Sequence, residues 1–232
     1  MRKLACIMSV FLASFALSQQ PSTPSAGHEQ HAARPAVSAD KIWSELMRGN
    51  ARFVAGKPQA QALVTERKSL TNGQHPRVMV LSCSDSRVPP EMVFDQGLGD
   101  LFVVRSAGNI AGPLELASLE YAYDHLGSTV LVVLGHSKCG AVTAACSGEK
   151  MPTSNLQAMV DQIDPAVAEA KHSASGDALV EAAIKDNVLQ SAADVVAHSD
   201  LLRRAKADGK LTIIEAEYEL DSGKVIQLGK TP

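Results

Sequence analysis

No Cys-x-x-Cys pair occurs in the chain, which removes the commonest thiol–disulfide oxidoreductase arrangement. Also missing are a glycine-rich dinucleotide fingerprint, a phosphate-binding loop and any internal repeat. Neither a nucleotide-dependent enzyme nor a repeat architecture is indicated. Basic residues do not cluster, and a formal net charge of −3 leaves no electrostatic footprint for nucleic acid. The apolar stretch Leu4 to Leu17 falls short of the ~20 residues that span a bilayer. Cysteine is scarce as well. The chain holds four: Cys6, Cys83, Cys139 and Cys146.

The short apolar stretch has other marks. Arg2 and Lys3 precede it and the small residues Ala16 and Ser18 close it, the order of an export signal with its cleavage site. The expectation is a signal peptide over 1–18, lost together with Cys6, and a periplasmic or secreted product with no stable membrane insertion after cleavage. Residues 19–38 are rich in Pro, Ser, Ala, Gln and His without an apolar period, and read as a disordered linker in which His28 and His31 are solvated. The remainder, 39–232, has the size of one compact domain with a full core. Three cysteines then remain, an odd number for disulfides. Cys146 lies two helical turns past Cys139, about 10 Å at ~1.5 Å per residue, too far for a bridge. It reads as a small buried hydrophobe.

Short β-branched runs at Val78–Leu81 and Thr129–Leu134 read as buried strands, followed by strands over Leu101–Arg105 and Leu211–Tyr218. Asp221-Ser222-Gly223 then turns into a last short strand, Val225 to Leu228, which must run antiparallel to its neighbour. Helical patterns lie between. The first begins near Asp40 with Ile42, Trp43, Leu46, Met47 and Phe53 as apolar positions broken at Gly49; others span Gln59–Leu70, Pro113–Leu126 and Asn155–Lys171, the last interrupted near Pro165. A further helix starts at Asp177 as N-cap, with Val180, Ile184, Val188, Ala192 and Val195 on one face. Strands alternating with helices predict an α/β fold: a mostly parallel central sheet of about four strands, one antiparallel edge strand, and helices on both faces.

Two polar segments follow these two buried runs. Cys83-Ser84-Asp85-Ser86-Arg87 ends one strand, and His136-Ser137-Lys138-Cys139 ends another after a tight exit at Gly135. Open α/β sheets place ligands just beyond the carboxyl ends of their strands. Gly140 to Ala145 favours a helix, so Cys139 falls near a helix N-terminus, where the dipole favours a thiolate. Two thiolates and one imidazole suit zinc, and three protein ligands with one exchangeable position are the pattern of a catalytic site. Asp85, two residues past Cys83, lies close enough to serve that position, and Arg87 can hold its carboxylate through paired charge-assisted hydrogen bonds.

Four segments together resemble the β-class carbonic anhydrases: Cys83-Ser-Asp-Ser-Arg87-Val, Asp100-Leu-Phe-Val-Val-Arg105-Ser-Ala-Gly-Asn109, Ser118-Leu-Glu-Tyr121-Ala and Gly135-His-Ser-Lys-Cys-Gly140. The similarity runs from about Lys41 to Gly229. It implies one zinc per chain on Cys83, His136 and Cys139, an Asp85/Arg87 catalytic dyad, and reversible hydration of carbon dioxide to bicarbonate and a proton. It also implies a substrate pocket of Gln74, Phe102 and Tyr121, with Tyr121 reaching across from a neighbouring subunit. Ala107 stands where bulkier aliphatic residues are common, which widens the pocket. The arm carrying Trp43, Gly49-Asn50, Arg52-Phe53 and Gly56 is expected to wrap a partner in a homodimer or higher homo-oligomer. His75 and His125 read as surface histidines. In some relatives a tryptophan three residues before the first cysteine ligand marks a bicarbonate-gated form; Val80 stands there, so the ungated form is expected. The alternatives are hydrolysis of carbonyl sulfide or carbon disulfide on the same fold, and a non-catalytic zinc- or bicarbonate-binding protein, which would have no use for the dyad.

Overall fold

The computed structural model describes residues 37–229. The expected signal peptide, the cleavage site and nearly all of the expected linker lie outside the described residues. In chain order the elements are α1 (Ala39–Val54), α2 (Leu63–Ser69), β1 (Val78–Cys83), α3 (Pro90–Val93), β2 (Leu101–Ser106) and α4 (Pro113–Asp124). They continue with β3 (Val130–His136), α5 (Gly140–Ser147), α6 (Ser154–Ala170), α7 (Asp177–His198), α8 (Asp200–Ala207), β4 (Thr212–Tyr218) and β5 (Val225–Gln227). No helix among the described residues is long and apolar enough to cross a membrane.

Among the described residues five strands form one sheet, in the order β2-β1-β3-β4-β5. The first four are parallel and β5 is antiparallel to β4. This is the expected architecture. Because β1 and β3 are buried on both faces, they read as unbroken apolar runs instead of alternating ones. Alternate residues still divide between two cores. Met79, Leu81, Leu131 and Val133 pack with α4, α7 and α8, through residues such as Leu119, Val188 and Leu202. Val78, Val80, Val130, Val132 and Leu134 pack on the other face with Ile42 and Leu46 of α1 and with Phe94. A third cluster, built from α5, α6 and α7, closes over the carboxyl ends of the strands and takes in Cys83 and Cys139.

Several local expectations are corrected. The helix α1 is capped by Ser38, whose Oγ accepts from the Lys41 amide at 3.4 Å, while Asp40 sits in the first turn. It does not break at Gly49, where a Cβ would stand 1.8 Å from the Phe94 carbonyl oxygen; glycine there permits contact with the chain after α3. The stretch from Gln59 is helical only over α2, which buries no residue, because the Gln59 amide is instead engaged by the Asp95 carboxylate. Pro165 does not interrupt α6. Its missing N–H costs about 3 kcal/mol in a helix interior, offset by the buried stripe of Val160, Ile163, Ala166, Val167 and Ala170. Gly176, not Asp177, is the N-cap of α7.

One face of the arm expected to wrap a partner is anchored on its own chain. Ile42 and Leu46 are buried there, and the Asn50 side chain donates to Val93 O (3.0 Å) and Gly223 O (2.9 Å) while accepting from the Val225 amide (3.0 Å). One buried amide thereby ties α1 to α3 and to the β4–β5 turn.

Candidate metal centre

Strand register brings the two polar segments together. The strands β1 and β3 are sheet neighbours, with Ser82 opposite Leu134, so Cys83 and His136 emerge at the same edge. After His136 the chain turns through Lys138, a non-glycine residue at φ 57°, and delivers Cys139 as the N-cap of α5. The end of β4 holds this turn: Ser137 N donates to Tyr218 O (3.0 Å), Leu220 N to Ser137 Oγ (2.9 Å), and Lys138 Nζ reaches Asp221 at 2.8 Å.

Cys83, His136 and Cys139 are buried, with their ligand atoms all within 4.8 Å of one another. The two sulfurs stand 4.0 Å apart, near the about 3.8 Å required of two sulfurs ~2.3 Å from one tetrahedral zinc. His136 Nδ1 lies 2.9 Å from the Ser137 carbonyl oxygen, which can only accept. Nδ1 therefore carries the hydrogen and Nε2 presents its lone pair. Among the described residues the buried Nε2 has no hydrogen-bond partner, although an orphaned buried nitrogen is costly. A cation between it and the sulfurs removes that cost.

The acid–base state of the cluster points the same way. Without a cation the two thiols share a proton. The Cys83 thiol is lowered to about 4, chiefly by its contact with Cys139, against the opposing effect of burial, and further by His136 and the amides of Gly108 and Asp85. Cys139 is driven far up, first by that same contact, then by burial and the Cys83 charge; the Val142 and Ala141 amides at the start of α5 counter this only in part. His136 is raised: burial pushes it down, but the Cys83 thiolate, the Ser137 carbonyl and Asp85 outweigh it. A divalent ion would favour two thiolates and a neutral imidazole together here, against the upward direction of Cys139 and His136. The residues fit zinc.

Asp85 and Arg87 form the expected pair. Arg87 Nε donates to Oδ1 at 2.9 Å, Nη2 to Oδ2 at 2.7 Å, and the Arg87 amide also donates to Oδ1 at 2.9 Å. The Arg87 side chain, with its amide and with His136, holds the Asp85 carboxyl well below the usual carboxylate range despite some burial. Oδ2 faces the cluster, 3.9 Å from His136 Nε2.

Other residues at this edge were not legible as site residues. Arg105 Nε donates to the Cys83 carbonyl (3.0 Å) and Nη2 to the Asp85 carbonyl (2.6 Å), clamping the loop between ligand and dyad. The Gly108 amide donates to the Cys83 sulfur at 3.3 Å. Parallel pairing of Ser82 with Arg105 and Cys83 with Ser106 puts both there; the only sequence signal was their place in one motif. Gln74 is exposed in the loop before β1. Phe102 lies 6.2 Å from Tyr121, which stacks on His125 at 5.0 Å. Phe102 is in register with Met79, four residues before Cys83, which is about 13 Å along a strand. Within one chain this aromatic pair stands away from the metal ligands. Cys146 is half-buried and unpaired, its thiol raised by burial.

A sequence model described as carbonic anhydrase matches residues 78–225. The chain is 38% identical over 196 residues to carbonic anhydrase 2 of Mycobacterium tuberculosis, covering 83% of this chain and 94% of that protein. It is 37% identical over 187 residues to a carbonic anhydrase of Mycolicibacterium smegmatis, covering 79% and 90%. Among solved structures it is similar to a Coccomyxa β-carbonic anhydrase in complex with acetazolamide, with TM-score 0.64, 27% identity, and 84% and 87% of the two chains covered. One of two tetrameric β-carbonic anhydrases from Sordaria macrospora shares the fold, with TM-score 0.65, 24% identity, and 82% and 98% covered.

Proposed function

The chain belongs to the β-class carbonic anhydrases, zinc enzymes that hydrate carbon dioxide reversibly to bicarbonate, and we propose that Cys83, His136 and Cys139 hold its zinc while Asp85 and Arg87 form its catalytic pair. The observation that carries this reading is the convergence of two sulfurs and an orphaned imidazole nitrogen beside an ionised carboxylate. When bound, zinc supplies a Lewis acid that makes a water nucleophilic enough to add to carbon dioxide near neutral pH. Cys83 and Cys139 bring two negative charges that moderate that acidity, and the neutral His136 brings none. Asp85 is too weak a base to keep a proton in the working range. Its Oδ2 accepts a hydrogen bond and orients the attacking water. Arg87 keeps the carboxylate turned to that task and away from the metal. Stopped-flow hydration of carbon dioxide by the zinc-loaded protein is the direct test; an inactive protein with full metal content would overturn the assignment of the pair.

The substrate pocket is proposed to need two chains. Gln74, Phe102 and Tyr121 are its residues, and the aromatic pair of one chain is too far from that chain's own Cys83 to line its site. The surface supports assembly at the β2 edge of the sheet. Tyr121, Met92, Leu98 and Leu63 are exposed, and a groove lined by Phe53, Leu63, Met92, Leu98 and Leu101 runs beside that edge. Such an open apolar edge invites pairing. A homodimer or a larger homo-oligomer is the proposed working unit, and sedimentation at assay concentration tests it. Domain limits of 1–18, 19–38 and 39–232, and export to a periplasmic or secreted location, are proposed from the charged start and apolar stretch before Ser18. The mass of the mature protein from its own source tests both.

A further inference from the structure

The amide that reaches the Cys83 sulfur belongs to a residue in a left-handed turn. Gly108 lies in the 3-10 turn Ala107–Asn109 at φ 73°, and Asn109 follows at φ 47°, so two successive residues are left-handed. A Cβ on Gly108 would stand 2.8 Å from Ile163 Cδ1 and 3.3 Å from Ala141 Cβ, so the turn is pressed between α5 and α6. Glycine takes this conformation freely and Asn109 less so, which leaves the exact aim of the turn to the groups that hold it. Besides α5 and α6, one polar stripe of α7 holds it. Asn187, 1% exposed, donates from Nδ2 to the Gly108 carbonyl at 2.7 Å, and Ser191, one turn on, meets Asn109 Nδ2 at 3.4 Å. Both polar groups of Gly108 are therefore committed: its N–H to a metal ligand, its carbonyl to Asn187.

We infer that Asn187 is a positioning residue for the metal centre, acting through Gly108 to aim a hydrogen bond at the Cys83 sulfur. The inference rests on Cys83 being a zinc ligand, as proposed above. An N–H donated to a thiolate withdraws electron density from it and fixes its direction, so the donor sets how strongly and from where the sulfur binds. Without Asn187 the buried Gly108 carbonyl loses that partner, and the glycine, whose backbone is intrinsically free, re-aims. Its N–H then leaves the sulfur.

The test compares the cobalt- and zinc-loaded unmutated protein with Asn187→Ala, and with Asn187→Ser, which leaves a smaller void. Val195→Ala, a truncation at a buried position of the same helix, is the packing control. In the unmutated protein a cobalt–thiolate charge-transfer band is expected; its absence would count against the metal-centre assignment itself, before any variant is compared. Asn187→Ala should move that band to longer wavelength, because a thiolate without its hydrogen bond is more electron-rich. It should also weaken zinc affinity, by chelator competition, about 10–100-fold, the usual effect of removing an outer partner. Val195→Ala should lower the melting temperature and leave band and affinity unchanged. An unshifted band with unaltered affinity in a folded Asn187 variant would overturn the inference. So would equal shifts in Val195→Ala, or failure of both Asn187 variants to fold, since each would make Asn187 a fold residue only.

Discussion

The loop after β1 and the turn after β3 both leave parallel strands at the same edge of the sheet, yet they are built oppositely. The first, through Asp85 and Arg87, is polar and open: the Arg87 side chain is 55% exposed, and the loop keeps its shape through charge-assisted hydrogen bonds from Arg87 and Arg105. The second, through His136 and Cys139, is buried. Those two side chains are 0% and 1% exposed, and the chain passes directly into α5. The difference assigns labour within one small site. On the assignment proposed above, the buried turn, with Cys83, would hold the ion, and the open loop would meet water and substrate.

The largest effect should come from breaking the buried turn. Cys139→Ala should lose both zinc and activity, beyond the ~100-fold that loss of an outer partner brings. Metal analysis beside stopped-flow rates checks it, and stoichiometric zinc in a folded Cys139→Ala protein would erase the division of labour. Breaking the open loop should be milder. Arg87→Ala should keep its zinc and lose about 10–100-fold in rate, most strongly near neutral pH, where a freed Asp85 competes best for the metal. The unmutated protein should follow a single one-proton pH–rate curve, and steep multi-proton activation would instead mean that Asp85 already leaves Arg87 as pH falls.

Two finer measurements sharpen the contrast. In the metal-free protein the buried turn holds protons that zinc must displace: the one retained by Cys139 and, as pH falls, one on the raised His136. Calorimetry in buffers of different ionisation enthalpy should find release of about one proton per zinc where His136 is neutral, rising toward about two as pH falls. Release that does not change with pH would contradict the His136 direction. The smallest effect belongs to Asp85. Its carboxyl is depressed in the folded chain, so its stabilising contribution is present above the unfolded value of about 3.9 and is lost as pH falls below it. Melting temperatures of Asp85→Asn and the unmutated protein should differ slightly at pH 6, and the difference should begin to shrink only as pH falls below about 4, vanishing well below that.

The sheet and the ligands were legible because apolar runs such as Val130–Leu134 ended directly in residues with strong metal chemistry. Helix limits were less so. Ser38 outcompeted Asp40 as a cap, and burial carried α6 through Pro165, both decided by contacts that local pattern does not contain. Arg105, Gly108 and Asn187 were missed as site residues for a related reason. They act on Cys83 or its loop through backbone groups or through one another, across separations of 22, 25 and 104 positions, and only the folded register brings them there.

Cys83 and Cys139 are 56 residues apart. Drawing two such points together in a free chain costs about 4 kcal/mol of loop entropy, roughly a thousandfold in affinity. The folded sheet has already met that cost by pairing β1 with β3. An ion arriving at the folded chain therefore meets a closed ring of donors, whereas one arriving earlier finds only the local His136–Cys139 pair. Zinc thus favours the finished fold over the loose chain, and the site behaves as a latch set after the sheet has closed.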